Sequence, residues 1–267
     1  MFFLKSFSGK QLATASRPWL IAGVLMLSLT SAVQAQNRKV RYVPPSNAGA
    51  PKVSVPGITR SACDSELSCL IALVPDLKTD QAPVPQTISK RPTIYFLTPK
   101  VDGRVYFRLD EDFGTPSQRK RIYRSSFKIK NDAGVIAYRL PDDAPNLELN
   151  KRYSWKFDID DVSNTRSVYG SIKRVELDQV VAQKLSVMTD PLERASLLAA
   201  QGIWYEALQI LAEAQLTVPK NLEIFEEWAA LLKSASLDRV LAHSFVIQKA
   251  SIAQPPKPLT PKISDPY

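Results

Sequence analysis

The apolar residues of this chain change period once, near Val175, and that change constrains the fold more than any motif. From Thr93 to Val175 apolar and polar residues alternate, as half-buried strands require, and turn residues cut the alternation at short intervals. The runs are Thr93 to Leu97, Arg104 to Leu109, Tyr123 to Ile129, Val135 to Leu140, Arg152 to Ile159 and Val168 to Val175. The fifth is the clearest: Tyr153, Trp155, Phe157 and Ile159 fall on one face, and Arg152, Ser154, Lys156 and Asp158 on the other. Consecutive short strands without helices between them predict antiparallel sheets packed face to face, not a parallel sheet with crossover helices.

After Val175 the period lengthens to that of a helix. Leu177, Val180, Val181, Leu185 and Met188 mark a first amphipathic helix. Asp190, Pro191 and Glu193 then supply an N-cap, a proline at the first helical position and a capping acid for a second, which stops at Gly202. A third helix is predicted from about Ile203 to Leu216, ended by Pro219, and a fourth from Leu222 to Ala235 behind Asn221. Trp204, Leu208 and Leu211 share a stripe, so Trp204 is expected in the core, the alternative being an aromatic that binds a partner.

Two local resemblances refine this outline. The stretch from Leu147 to Trp155, with Tyr153 at the start of a strand, resembles the corner of immunoglobulin-like domains, where a tyrosine bonds back to the preceding loop. The order Gly202, Ala207, Leu208, Ala214, Pro219 resembles one tetratricopeptide repeat, a unit that needs another surface to complete its core. The expected fold is α+β by segregation: an immunoglobulin-like antiparallel β-sandwich over 61–175, then a helical cap over 176–248 packed on it.

The ends read differently. Residues 1–35 carry Lys5, Lys10 and Arg17, a short apolar run from Trp19 to Leu29, and Val33 and Ala35 at the positions a signal peptidase reads. Cleavage between Ala35 and Gln36 is expected, since the apolar run is too short to span a bilayer, and no later segment is a candidate transmembrane helix. Prolines 44, 45, 51 and 56 mark 36–60 as an extended linker, Pro75 to Pro92 is a second proline-rich connector, and 249–267 is a proline-rich disordered tail. In an oxidising compartment Cys63 and Cys69 are a candidate disulfide, which requires a loop or turn between them; two free buried thiols are the alternative.

Catalytic machinery is hard to assemble from these residues. A single histidine, His243, and two cysteines exclude multi-imidazole and four-thiolate metal sites, and there is no glycine-rich phosphate loop or Gly-x-Ser-x-Gly elbow. Asp158 and Asp160 share a strand face and could offer oxygens to Ca²⁺, but Arg152, Lys156 and Arg166 favour a salt-bridged edge. Asp110, Glu111 and Asp112 read as a polar loop. No catalytic residue, cofactor or metal is expected, and the protein is read as not an enzyme.

Charge is the positive signal. The net charge is +9. Between Arg104 and Lys130 basic residues far outnumber acids, whereas Glu176 to Glu227 is acidic. Arg119, Lys120, Arg121, Arg124, Lys128 and Lys130 form a candidate anionic-ligand face, of which Arg124, Lys128 and Lys130 share one side of a strand opposite Tyr123, Phe127 and Ile129. Nucleic acid is not expected, because of export and because no aromatic platforms interleave with these bases.

Thr59-Arg60-x-x-Cys63, Leu70 to Pro75, Arg91 to Phe96, Tyr153-x-Trp155 and the run Gly202-Ile203-Trp204-Tyr205-Glu206-Ala207-Leu208 together resemble the exported cyanobacterial family called domain of unknown function 928. The resemblance covers about Val53 to Leu237. It implies export and architecture and supplies no catalytic residues. The expected role is a protein-binding adaptor in the periplasm or cell envelope, whose partner is another envelope protein. The alternative is binding of an anionic envelope glycan or lipid head group through the basic strands.

Overall fold

The computed structural model describes residues 39–46, 61–62, 69–75, 84–113, 119–161, 165–241 and 247–248, all within one compact unit, Asn37–Tyr267. The candidate cleavage site, Cys63, His243 and the proline-rich tail lie outside them.

The described strands are β1 (Ser61–Ala62), β2 (Leu70–Ala72), β3 (Gln86–Thr87), β4 (Thr93–Thr98), β5 (Val101–Asp112), β6 (Arg119–Asn131), β7 (Gly134–Arg139), β8 (Arg152–Asp161), β9 (Thr165–Arg174) and β10 (Ile247–Gln248). They form two five-stranded sheets, β1-β2-β4-β7-β10 and β3-β9-β8-β5-β6. Aromatic side chains join their inner faces: Phe96 of β4 stacks on Phe157 of β8 at 4.0 Å and meets Trp155 edge-on at 5.6 Å. Tyr138 of β7 likewise packs on Phe107 of β5 and Phe127 of β6. Gly170, opposite Trp155 in the β8–β9 register, makes room for the indole; a Cβ there would lie 2.1 Å from the ring.

All six sequence-predicted strands are present, most of them longer than expected. The sheets are mixed and not purely antiparallel, because β3 runs parallel to β9 and β10 parallel to β7. Both additions are two-residue strands, too short to show any alternation. The Tyr153 hydroxyl accepts the Glu148 N–H at 2.9 Å, tying the start of β8 to the preceding loop.

The helices are α1 (Gln179–Val187), α2 (Pro191–Ala200), α3 (Trp204–Thr217), α4 (Leu222–Ser234) and α5 (Asp238–Leu241). Asp178, Asp190 and Asn221 accept backbone N–H groups at the N-termini of α1, α2 and α4. Gly202 ends α2 at φ 77°, with Gly202 N–H bonded to Ala199 and Ile203 N–H to Leu198, the paired bonds of a Schellman motif. Ser236 does the same after α4 at φ 59°.

One expectation needs correction. Lys39 to Ser46 fall in the span read as linker, yet Val40 and Tyr42 are fully buried. The Glu227 carboxylate accepts the Val40 N–H, Ser234 Oγ accepts that of Tyr42 at 2.8 Å, and Ala199 O accepts that of Val43 at 3.0 Å. Tyr42 meets Trp204 edge-on at 5.2 Å. Prolines dominate the composition of the stretch and conceal a short alternation, Val40 and Tyr42 inward, Lys39 and Arg41 outward. The buried residues, from Val40 through both sheets to Val240, form one continuous core.

Candidate functional site

The register of β6, β5, β8 and β9 decides which charged side chains meet on the outer face of the second sheet. Asp102 lies opposite Lys130. Lys128, Arg104 and Asp160 form the next cross-strand row, then Ser126, Tyr106 and Asp158, then Arg124, Arg108, Lys156 and Tyr169. Neighbouring strands lie ~4.8 Å apart and same-face residues along a strand ~6.6 Å apart. Tyr106, 42% exposed, therefore stands amid Arg104, Arg108, Arg124 and Lys128, with Asp158 on its other side.

A bulge brings in a further cation. Leu109 pairs with Tyr123 and Asp110 with Arg121, so Ile122 is an extra residue on β6. By strict alternation Arg121 and Arg124 would point to opposite faces. The bulge returns Arg121 to the outer side, where its Nε lies 3.6 Å from Asp110. Arg119 follows two residues on, opposite Asp112, while Lys120, opposite Glu111, alternates away from the outer set. The six predicted bases thus do not form one patch: Arg119, Arg121, Arg124, Lys128 and Lys130 share the face, and Lys120 does not. Sequence reading counted Arg104 and Arg108 in the basic stretch but left them out of the candidate face, and it missed Lys156, Tyr106 and Tyr169. The expectation that no aromatic side chain interleaves with these bases is corrected: Tyr106 of β5 lies between Arg104 and Arg108 on the same face, and Tyr169 of β9 lies opposite Lys156.

Several of these cations are already engaged. Asp110, almost fully buried, holds Arg108 Nε at 2.9 Å as well as Arg121. Lys130 pairs with Asp102 at 2.8 Å, and that hydrogen bond raises the Lys130 ammonium above its ordinary value. Lys156 lies 2.8 Å from Asp158 and 5.4 Å from the Tyr169 ring centre. Burial works against its charge, but the bond to Asp158 and the surrounding negative groups prevail and hold the ammonium above the ordinary lysine value. Arg104, Arg124 and Lys128, all exposed, have no carboxylate partner among the described residues. They are the cations available to an external anion.

The acidic cluster is internally satisfied. Thr165 donates to Asp160 at 2.8 Å, Ser167 to Asp158 at 2.5 Å, and Arg166 pairs with Asp161 at 2.7 Å. Glu111 pairs with Lys151 at 2.9 Å. No group of three or more His, Cys, Asp or Glu side chains suited to a metal ion occurs among the described residues. Cys69, buried before β2, is disulfide-bonded.

The Gly202 to Leu208 run does a different job. Ile203 bridges Gln86 of β3, the Trp204 indole donates to Leu73 O at 2.9 Å, and the Tyr205 hydroxyl donates to Ser171 O of β9 at 3.0 Å. Glu206 Oε1 accepts from Thr87 Oγ1 and from the N–H groups of Ile88 and Ser89. Four consecutive side chains or backbones thereby pin the start of α3 to both sheets. Burial pushes the Glu206 carboxyl above its ordinary value despite those donors, and its Oε2 is shut off from solvent without a hydrogen-bond partner.

No helix among the described residues is long and apolar enough to cross a membrane. No curated protein matches the chain. The family model described as Domain of Unknown Function (DUF928) matches residues 55–245, a span that takes in β1 to β9 and all five described helices. The chain belongs to the DUF928 family.

Proposed function

We propose that this protein is a non-catalytic, exported envelope component whose outer sheet face captures anionic groups of envelope glycans or lipid head groups. The observation that carries this reading is the set Arg104, Arg124 and Lys128, exposed on adjacent strands without carboxylate partners among the described residues. Such cations need not first abandon an internal salt bridge to meet an anion, and on an open face they keep much of their hydration when they do. In this reading the paired sheets are an immunoglobulin-like sandwich, and α2 and α3 are one repeat-like unit completed by it. The most distinctive run of the chain, Gly202 to Leu208, is taken up in contacts with the sheets, which supports the non-catalytic reading.

The test is pelleting with cell-wall and membrane fractions. The wild-type protein is expected to pellet at low salt and to be released as NaCl rises past physiological strength, where exposed charges are screened beyond ~8 Å. The variant Arg104→Ala/Arg124→Ala/Lys128→Ala is expected to remain in the supernatant while melting within a few degrees of wild type. Undiminished pelleting by that variant refutes the reading.

A second reading, contact with another envelope protein, draws on Leu216, Val218, Leu222 and Phe225, all exposed around the turn between α3 and α4. Loss of a crosslinked envelope partner from Leu222→Asp/Phe225→Asp, with retained pelleting, favours it.

A further inference from the structure

The outer face is not uniformly basic, and its unevenness narrows the ligand. Cations crowd β5 and β6, whereas Asp158 and Asp160 occupy the adjoining rows of β8. A bilayer surface or a polyphosphate chain laid over the face would press phosphate against those carboxylates. A ligand whose anionic groups are separated by neutral, hydroxyl-bearing rings would not. Tyr106 stands at the boundary: it is exposed, lies between Arg104 and Arg108 on its own strand, and faces Ser126 on β6 and Asp158 on β8. An exposed aromatic ring on an open sheet offers apolar contact to the C–H face of a sugar, and flanking cations suit a carboxylate on that sugar.

Resting on the proposed capture of envelope anions, we infer that the ligand is an acidic polysaccharide bearing ring carboxylates, with one sugar ring against Tyr106 and its carboxylate held by Arg124 and Lys128 or by Arg104. Arg108 and Arg121 contribute less, because Asp110 already holds both. Tyr169, in the next row, already carries the Lys156 ammonium over its ring and so contributes less than Tyr106.

Affinity electrophoresis of the purified protein through gels containing polygalacturonate, polyphosphate or oligothymidylate tests this, alongside flotation with phosphatidylglycerol vesicles. Polygalacturonate is expected to retard the wild type most. Tyr106→Ala is expected to weaken that retardation about tenfold and Tyr106→Phe by less than about threefold, as for loss and retention of a ring contact. Weak polyphosphate binding is expected to be indifferent to both. Arg104→Ala/Arg124→Ala/Lys128→Ala is expected to lose all binding, with unchanged circular dichroism confirming its fold. If the triple variant loses binding but Tyr106→Ala binds polygalacturonate as wild type does, the sugar inference falls and anion capture stands. Tighter binding to vesicles, polyphosphate or oligothymidylate than to polygalacturonate likewise overturns the inference alone. If the triple variant binds as wild type does, both fall.

Discussion

Glu206 shows how one side chain can be structurally central and energetically awkward. It satisfies three donors in the β3 connector, yet burial raises its carboxyl above 4.5. Between that ordinary value and its higher folded-state value, the folded protein keeps a proton that the unfolded chain has released. Its contribution to stability is therefore greatest below about pH 4.5 and declines as pH rises through the folded-state value. Glu206→Gln retains an acceptor for the same donors and removes the charge. It is expected to melt at least as high as wild type at pH 7 and to lose that advantage at pH 4, as thermal melts at both pH values would show. Glu206→Ala strands the donors and is expected to cost about 2 to 4 kcal/mol by urea titration. Gly170→Ala drives a methyl into the Trp155 ring, fixed by its own contact with Phe96; a loss of about 1 to 3 kcal/mol is expected from the same titration. The sequence set Glu206 inside the Gly202 to Leu208 run without showing which donors it meets, and Gly170 carries no turn signal.

At the scale of elements, legibility followed length. The long strands announced themselves through alternation, and α2 and α4 through Asp190, Pro191 and Asn221 at their starts. Two-residue β3 and β10 had no period to show. The bulge at Ile122 was equally silent, so Arg121 was grouped with its neighbours by proximity in sequence when its place on the outer face depends on one unpaired residue. The basic face itself was half legible: β6 supplied the signal, but the partners on β5, β8 and β9 became known only with the register. The lead-in from Lys39 to Ser46 was misread because proline content outweighed two inward residues. Its docking gives a contrast to measure: Tyr42→Ala, which empties a buried site against Trp204, is expected to cost about 3 kcal/mol. Val43→Ala, at an exposed position, is expected to change stability by less than about 0.5 kcal/mol. Chemical denaturation of the pair distinguishes a structural strap from a linker.

Over the whole molecule, the continuous core joins sheets, helices and lead-in. Near-ultraviolet circular dichroism, which reports the aromatic cluster between the sheets, and far-ultraviolet signal at helical wavelengths are accordingly expected to change at one common urea concentration. Two separated transitions would show that the helical part unfolds alone. The contacts that unite these parts are remote in sequence: Val40 meets Glu227 across 187 positions, Trp204 meets Leu73 across 131, and Glu206 meets Thr87 across 119. Closing such distant pairs is slow. A nascent chain halted before Trp204 would hold β1 to β9 without the residues that fasten β3 and the lead-in, so completion of the core waits for α3 and α4. Until those residues arrive, the edges of both sheets and the apolar surface meant for the helices stay open to other chains, so the span before Trp204 is where misassembly would begin.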